Sequence, residues 1–473
     1  MHLVGVVILL LLSPVFSAVV LADELEDLMT GFGGEDTPSV VPDQLDQLLE
    51  GFDEAHEVEP DTVAAKGGLP DWLEFQGSIS GQATAGFAHH KPEAGEPDYR
   101  GLSMLRARAE LISDLSREAW QARLGVKGYY DAIYSLEGRS NYTDELLDEY
   151  ESEFEFTEAW VQGSIGEGID LKGGRQIVVW GRSDNIRITD ILNPLDLRLP
   201  GMVDIRDLRL PVVMTKLDYY AGNYHISPLI VHEPRFDKTP VYNGEYFPGA
   251  GPLPPASEPS CSLDNQQYGM ALNGIFSGWD FSVYGGSFFD NSAHIELNST
   301  ALPERKYSRL TMYGAAANLV MGNWLVKGEA AWFDGLEFVN SPHEDFSRLD
   351  LLAGFEYTGF SETVIAVELA NRHLFEFDAR LGDPPAGQKE DLVQSVIRLV
   401  RDFRHDTLHL TPLFSSFGAF GEDGALQRYQ LEYELNDDTT VKTGLVFYQS
   451  GDYLPFQDTG DNDRLFFELE YRF

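Results

Sequence analysis

The end of the chain restricts the fold more than any other feature. Leu465, Phe467, Leu469, Tyr471 and Phe473 alternate with Phe466, Glu468, Glu470 and Arg472, so an extended backbone sends one set to each face. The same period recurs upstream. Leu105, Ala107, Ala109 and Leu111 oppose Arg106, Arg108 and Glu110, while Tyr429, Leu431, Tyr433 and Leu435 oppose Arg428, Gln430, Glu432 and Glu434. A soluble sandwich hides its apolar faces and rarely sustains the pattern over so long a stretch as one domain. Hydrocarbon on one face and charge on the other, from Trp72 to the C-terminus, predicts strands with lipid outside and water inside. Past the N-terminal residues no segment offers the run of about eighteen apolar residues that a spanning helix needs.

Link lengths define the architecture. Short turns at Ser116-Arg117, Gly166-Glu167, Ser277-Gly278, Gly322 and Asn436-Asp437 alternate with long links over 134–153, 181–209, 233–265, 290–306, 335–346, 374–390 and 450–463. One rim of tight turns and one of long loops is how bacterial outer-membrane barrels are built. The expected fold is all-β: a transmembrane antiparallel β-barrel of about 16–18 strands with an inward-folded loop. All seven tryptophans, at 72, 120, 160, 180, 279, 324 and 332, fall inside or at the ends of the predicted strands, as an interfacial aromatic belt requires. Outer-membrane lipid and lipopolysaccharide are the expected surroundings. Phe467, Leu469, Tyr471 and Phe473, on the aromatic last strand, resemble the signal read by the barrel-insertion machinery.

The N-terminal region supports the same compartment. Residues 1–22 carry an apolar run from Leu3 to Leu12, then Pro14, then Val20-Leu21-Ala22, which reads as a signal peptide. Residues 23–68 are acidic and interrupted by Pro38, Pro42 and Pro60, the composition of a flexible periplasmic segment, and residues 69–473 form the barrel. Within the acidic segment a ten-residue unit occurs twice. Leu25, Leu28 and Phe32 recur as Leu45, Leu48 and Phe52. Each copy is one short amphipathic turn ending in a capping Gly, too short to stand alone and suited to docking on a periplasmic or inner-membrane transporter partner.

Charge and cysteine content exclude other classes. A formal net charge of -43 opposes nucleic-acid binding, which needs the opposite field. The single Cys261 rules out an internal disulfide framework and a Cys-based zinc site.

One stretch breaks the alternation. Between Trp180 and Arg209 the charged residues are Arg182, Arg187, Arg198, Arg206 and Arg209 against Asp184, Asp190, Asp196, Asp204 and Asp207, with no Lys and no Glu. A neutral, matched set in so acidic a chain predicts paired, enclosed charges, since Arg and Asp suit fixed bidentate pairing. The expectation is a plug loop folded into the lumen, with Trp180, Asn193 and Pro194 fixing where it enters and turns. Opposed Arg and Asp across the narrowed lumen would orient a polar solute and set charge selectivity.

Gly174-Arg175-Gln176 leading into Trp180-Gly181-Arg182-Ser183-Asp184, followed by Ile191-Leu192-Asn193-Pro194-Leu195-Asp196, resembles the DUF1302-like family of Gram-negative outer-membrane barrels found beside RND-type exporters. It is more loosely similar to alginate-export-type channels. The resemblance implies a transport-associated barrel, a channel for a polar or amphipathic solute working with an inner-membrane exporter. The alternative is a closed barrel serving as surface adhesin or docking anchor.

Enzymatic signatures are missing. His225 and Ser227 share a strand face but no neighbouring strand offers an obvious third member of a relay, and no zinc-protease or phosphate-cradling motif occurs, so no catalysis is expected. Asp144, Glu145, Asp148, Glu149, Glu151, Glu153 and Glu155 crowd one outer loop and the strand after it, with Asp458, Asp461 and Asp463 in the last loop. Their spacing fits no calcium loop. No cofactor or fixed metal is expected, beyond loosely bound divalent cations at this acidic rim.

Overall fold

The computed structural model describes residues 70–473 apart from 93–95, 204, 250, 298–301 and 384–385. The signal-peptide reading and the docking repeats at Leu25, Leu28, Phe32, Leu45, Leu48 and Phe52 lie outside the described residues. The first half of the wall is built from β1 (Leu73–Gly86), β2 (Gly101–Arg117), β3 (Trp120–Asp131), β4 (Ser152–Gly166), β5 (Ile169–Gln176), β6 (Val212–Ala221), β7 (Tyr224–Val231), β8 (Gln267–Phe276) and β9 (Trp279–Phe289). A small hairpin, β10 (His294–Leu297) with β11 (Pro303–Lys306), stands in the next outer loop. The second half is β12 (Arg309–Met321), β13 (Trp324–Phe338), β14 (Ser341–Phe360), β15 (Thr363–Leu374), β16 (Asp391–Phe403), β17 (Leu408–Phe417), β18 (Gly424–Asn436), β19 (Thr439–Gln449) and β20 (Arg464–Arg472).

The sheet has 18 strands and is closed. β9 pairs with β12, and β20 pairs with both β19 and β1. At the seam, Gly77 and Phe473 exchange backbone hydrogen bonds of 2.8 and 2.9 Å. Closure removes the free edges that an open sheet would leave to lipid. The alternation resolves as predicted: Leu465, Phe467, Leu469, Tyr471 and Phe473 are exposed on the outside while Phe466 and Arg464 are buried inside.

Three expectations are corrected. The predicted loop 335–346 is a continuous hairpin, because β13 runs to Phe338 and β14 starts at Ser341; Leu336, Phe338 and Phe346 pack together there and extend the ladder. The fifth strand, predicted to reach Trp180, stops at Gln176. The tryptophans also do not all form a belt. Trp72, Trp120, Trp279 and Trp324 are exposed beside the short-turn rim and Trp332 is exposed higher on β13, but Trp160 and Trp180 are buried inside. A bulge between Leu124 and Val126 of β3, facing the extra residue of β4, reverses the facing of β4 and turns Trp160 to the lumen. There Lys172 lies 3.8 Å from the ring centroid.

Candidate functional site

The stretch 177–211 leaves β5 and returns to β6, and the two flanking residues, Gln176 and Val212, are partners in the ladder. A tight turn could have joined them. Instead the chain enters the lumen through a neck tied by the fully buried Asn193. Its side-chain oxygen accepts from Val178 N at 2.9 Å, and its amide donates to Gln176 O at 3.3 Å and Leu210 O at 2.9 Å. Pro194 O accepts from Leu210 N at 2.7 Å. Entry, turn and exit therefore meet at one side chain.

Beyond the neck the loop is fastened to the wall by packing and by carboxylates. Trp180 stacks on Tyr284 with centroids 4.9 Å apart and meets the edge of Phe288. Ile186, Ile188 and Leu192 are buried with it among Val212, Met214, Leu229, Val231 and Met312. Full burial of such side chains stabilises by about 1.5–3 kcal/mol each, the same order as a hydrogen bond to a charged carboxylate at about 1.5–3 kcal/mol, so apolar contact and carboxylates seat the loop together. Carboxylates then fix its path. Glu329 of β13 accepts from Arg182 N at 2.5 Å, Ser183 N at 2.7 Å, Thr189 N at 3.2 Å and Thr189 Oγ1 at 2.9 Å. Glu368 of β15 accepts from Ser183 Oγ at 2.7 Å, Asp184 N at 3.1 Å and Asn185 N at 3.2 Å. Gly181 makes this approach feasible: its φ is +97°, and a Cβ there would lie 2.7 Å from Thr189 Oγ1 and 2.8 Å from both Glu329 oxygens.

The matched charges divide between loop and wall. Arg182 donates to Asp280 at 2.6 Å and to Ser282 at 2.8 Å, and Asp184 pairs with Lys327. Within the loop, Asp190 is shared by Arg187 at 3.2 Å and Arg209 at 2.9 Å, and Asp196 takes Arg198 at 2.6 Å. These side chains meet one another and the wall; they do not face each other across open lumen. Arg198 also pairs with Glu153 at 2.6 Å. Burial alone would raise Asp196, but the bound Arg198 outweighs it and holds the carboxyl below its usual range. Asp207 is exposed in a short helical turn (Ile205–Leu208). Asp204 and the side chain of Arg206 lie outside the described residues. The loop tip reaches the far wall, where Pro200 O accepts from Tyr448 Oη at 2.6 Å and Leu199 and Met202 pack against Tyr246, Val446 and Phe466.

The lumen is consequently of two kinds. Under the loop, the inner faces of β6, β7, β9 and β12 are buried, apolar at Val212, Met214, Leu229, Val231, Phe288 and Met312 and polar at Asp218, Ser227, Asp280 and Ser282. The inner faces of β16–β20 and β1–β3 carry Arg398, Arg428, Glu432, Lys442 and Glu468, all partly exposed, with pairs such as Arg123–Asp114 at 2.8 Å and Lys442–Glu470 at 3.5 Å. Between the tip and this wall a cavity of about 30 Å³ is lined by Leu199, Met202, Thr84, Arg106 and Arg464.

Sequence reasoning missed the wall residues Glu329, Glu368, Asp280, Lys327 and Tyr284. Their one signal is an inward-facing position beside apolar neighbours. It also missed a partner for His225 and Ser227. Asp218 of β6 accepts from both at 2.7 Å, so the Ser227 hydroxyl is spent on a carboxylate and is not activated by His225. That imidazole meets Asn273 at 3.2 Å, whose amide oxygen accepts from Ser282 at 2.6 Å, continuing the network to Arg182. Of the acidic rim, Thr143 caps helix α1 (Asp144–Tyr150). Glu151 pairs with Arg139, Glu153 with Arg198 and Lys238, and Glu155 with Arg235. In the last loop Asp461 pairs with His90 and Asp463 accepts from Tyr448 N at 2.8 Å. Among the described residues no His, Cys, Asp and Glu group is arranged to hold a metal ion.

A family model described as a protein of unknown function, DUF1302, matches residues 94–473. The chain belongs to the DUF1302 family. Curated proteins provide no match. Among solved structures, the DUF1302 barrel is similar to a BenF-like porin from Pseudomonas fluorescens Pf-5, with TM-score 0.51 and 10% identity over 86% of this chain and 99% of that one. Acinetobacter baumannii OccAB3 gives TM-score 0.51 and 8% identity over 85% and 99%. Pseudomonas aeruginosa OpdK, solved with vanillate, gives 0.50 and 9% over 86% and 100%. At these identities the likeness is one of fold: a porin-like barrel.

Proposed function

We propose that this DUF1302 barrel is an outer-membrane channel for a polar or amphipathic solute, with loop 177–211 as its constriction. The observation that carries the reading is the division of the lumen. Apolar packing and wall carboxylates seat the loop on one half, while the other half keeps partly exposed inward-facing charges of both signs, the lining a hydrated path needs. A barrel serving purely as anchor has no use for a charged, unpacked half. Arg182, Asp184, Arg187, Asp190, Asp196, Arg198 and Arg209 narrow the path by holding the loop in place, and Trp180, Asn193 and Pro194 set its root. Signal peptide, porin-like fold and the aromatic last strand support the outer membrane as its site and insertion by the barrel-assembly machinery. Docking of the acidic repeats on a periplasmic or inner-membrane exporter belongs to the same reading, and peptides spanning 23–56 test it. Binding lost on replacing Phe32 and Phe52 supports docking, and no binding by the intact peptide rejects it.

The deciding experiment is single-channel conductance of the refolded chain, with and without residues 183–207. Deletion is expected to raise the current. An unchanged current would remove the loop from the conduction path, and a silent barrel in both forms would favour the adhesin or anchor.

A further inference from the structure

The wall beside the root of the loop is built differently from the rest. β4 pairs with β5 only from Ala159 onward, opposite Arg175. Its outer half, 152–158, pairs with β3 on one side and has no strand on the other among the described residues. β5 and β7 have 8 residues each, against 13 to 20 in β12–β14. Alternate backbone groups along 152–158 therefore point away from β3 without a ladder partner. Such groups are costly against hydrocarbon and call for water or the polar part of another molecule.

The outward side of this gap is polar at a height where other strands are apolar. Arg175 follows the turn residue Gly168 by seven positions in β5, roughly 18 Å of height for a strand tilted by about 40°, below the top of an apolar band about 25 Å tall. At the same count from their turns, other strands present Ala315, Leu369, Ile397 and Leu445 to lipid. Here Arg175 binds Glu233 at 2.6 Å, and Thr215 meets His232 at 2.9 Å. On the open edge itself, Phe154 and Phe156 are exposed to the outside, 71% and 50%, with rings 5.9 Å apart. The inner side is closed by loop segments held through side chains. Arg175 and Arg235 both donate to Pro211 O, at 3.0 and 2.7 Å, and Arg235 also reaches Glu155 of β4. Lys127 and Lys238 also lie beside Glu155, at 3.6 and 3.8 Å, and partly hydrated side-chain pairs of this kind part more readily than a backbone ladder.

We propose that the gap between the outer half of β4 and the end of β5 is a lateral port, through which an amphipathic solute with one polar head and one apolar chain passes between lumen and outer leaflet. The head lies over Arg175, Glu233 and His232 and the chain runs along Phe154 and Phe156. Arg235 with Glu155 is the latch, and the loop root behind it is the inner sill. The proposal rests on the channel reading and adds a second exit to it.

The test locks the latch. In a C261S background, Glu155→Cys with Arg235→Cys is oxidised, and transfer of a fluorescent lysophospholipid across proteoliposomes is followed by albumin extraction beside potassium conductance. The expected result is loss of lysophospholipid transfer in the oxidised form, its return on reduction, and potassium current unchanged throughout. Unchanged transfer in a fully cross-linked sample overturns the port, as does equal loss of both fluxes or an absence of transfer by the native chain. Absent potassium current with latch-dependent transfer would instead overturn the axial channel and leave the port standing. Should the double variant fail to fold, a photoactivatable lysophospholipid on the native chain decides. Adducts at Phe154, Phe156 or Arg175 support the port, and adducts confined elsewhere overturn it. Cross-linking of a Phe154→Cys chain to a second copy would show the edge covered by protein and would likewise overturn it.

Discussion

Glu329 is the residue whose removal tests the seating of the loop most directly. Its two oxygens take four donors from Arg182, Ser183 and Thr189, all charge-assisted, at about 1.5–3 kcal/mol each. In Glu329→Gln one oxygen becomes an NH2 group, so two of the four bonds are lost and two fall to neutral strength, about 0.5–1.5 kcal/mol each. The gross loss is about 5–9 kcal/mol. Glutamine no longer has to be stripped of water as an ion, which returns several kcal/mol. The net loosening is then about 2–4 kcal/mol, on the order of a hundredfold in the population of unseated loop. Hydrogen exchange read by mass spectrometry on peptides covering 181–189 measures that population, with β14 peptides as internal control. Protection should fall in the loop and hold in the wall. Equal protection in parent and variant, both migrating as folded barrels, would refute the view that this carboxylate holds the loop.

Three further outcomes are expected. Gly181→Ala forces a side chain into a backbone with φ of +97° and into contact with both Glu329 oxygens, at a cost of about 1–3 kcal/mol; weaker exchange protection of 181–189 checks it. Asn193→Ala leaves Val178 N and the carbonyls of Gln176 and Leu210 without their partner, about 1–3 kcal/mol for each group that water does not reach, and limited proteolysis should then cut 177–211 in an intact barrel. Removal from water pushes Asp237 up to about 6, against the hydrogen bond it accepts from Leu195 N. Its acid is thus favoured in the folded chain, so the contribution is complete below pH 3.8 and is lost as pH rises through about 6. Asp237→Asn should remove that dependence and stabilise the 195–197 contact above pH 6, by at most about 3 kcal/mol, as read from thermal unfolding at two pH values.

What was legible in the sequence was whatever repeats at short range. Strict alternation from Leu465 to Phe473 declared the facing of β20 without help from any other segment, and the unequal links declared the two rims. Asn193 and Trp180 stood out because the surrounding pattern stopped. Partners were not legible. Glu329 lies 147 residues from Arg182, and an inward-facing acid on a strand looks the same whether it meets water or a folded-in loop. Trp160 was misread for a different reason: one extra residue in β4 reverses facing, and nothing in the local composition marks it. The hairpin at 335–346 was hidden by Gly335, which reads as a breaker but here adopts φ of +96° with its absent Cβ directed at Arg309 O, so the chain bends while the ladder continues.

The neck at Asn193 separates two jobs that share one chain. Gln176 and Val212 would be hairpin neighbours with nothing between them, so 177–211 is a cassette inserted at a single ladder rung. The wall's ladder is complete without the insert, so the insert's length and sequence are not constrained by the rung that carries it. If the loop is the constriction proposed above, exchanging the cassette between related barrels, cut at that rung, should carry selectivity with it.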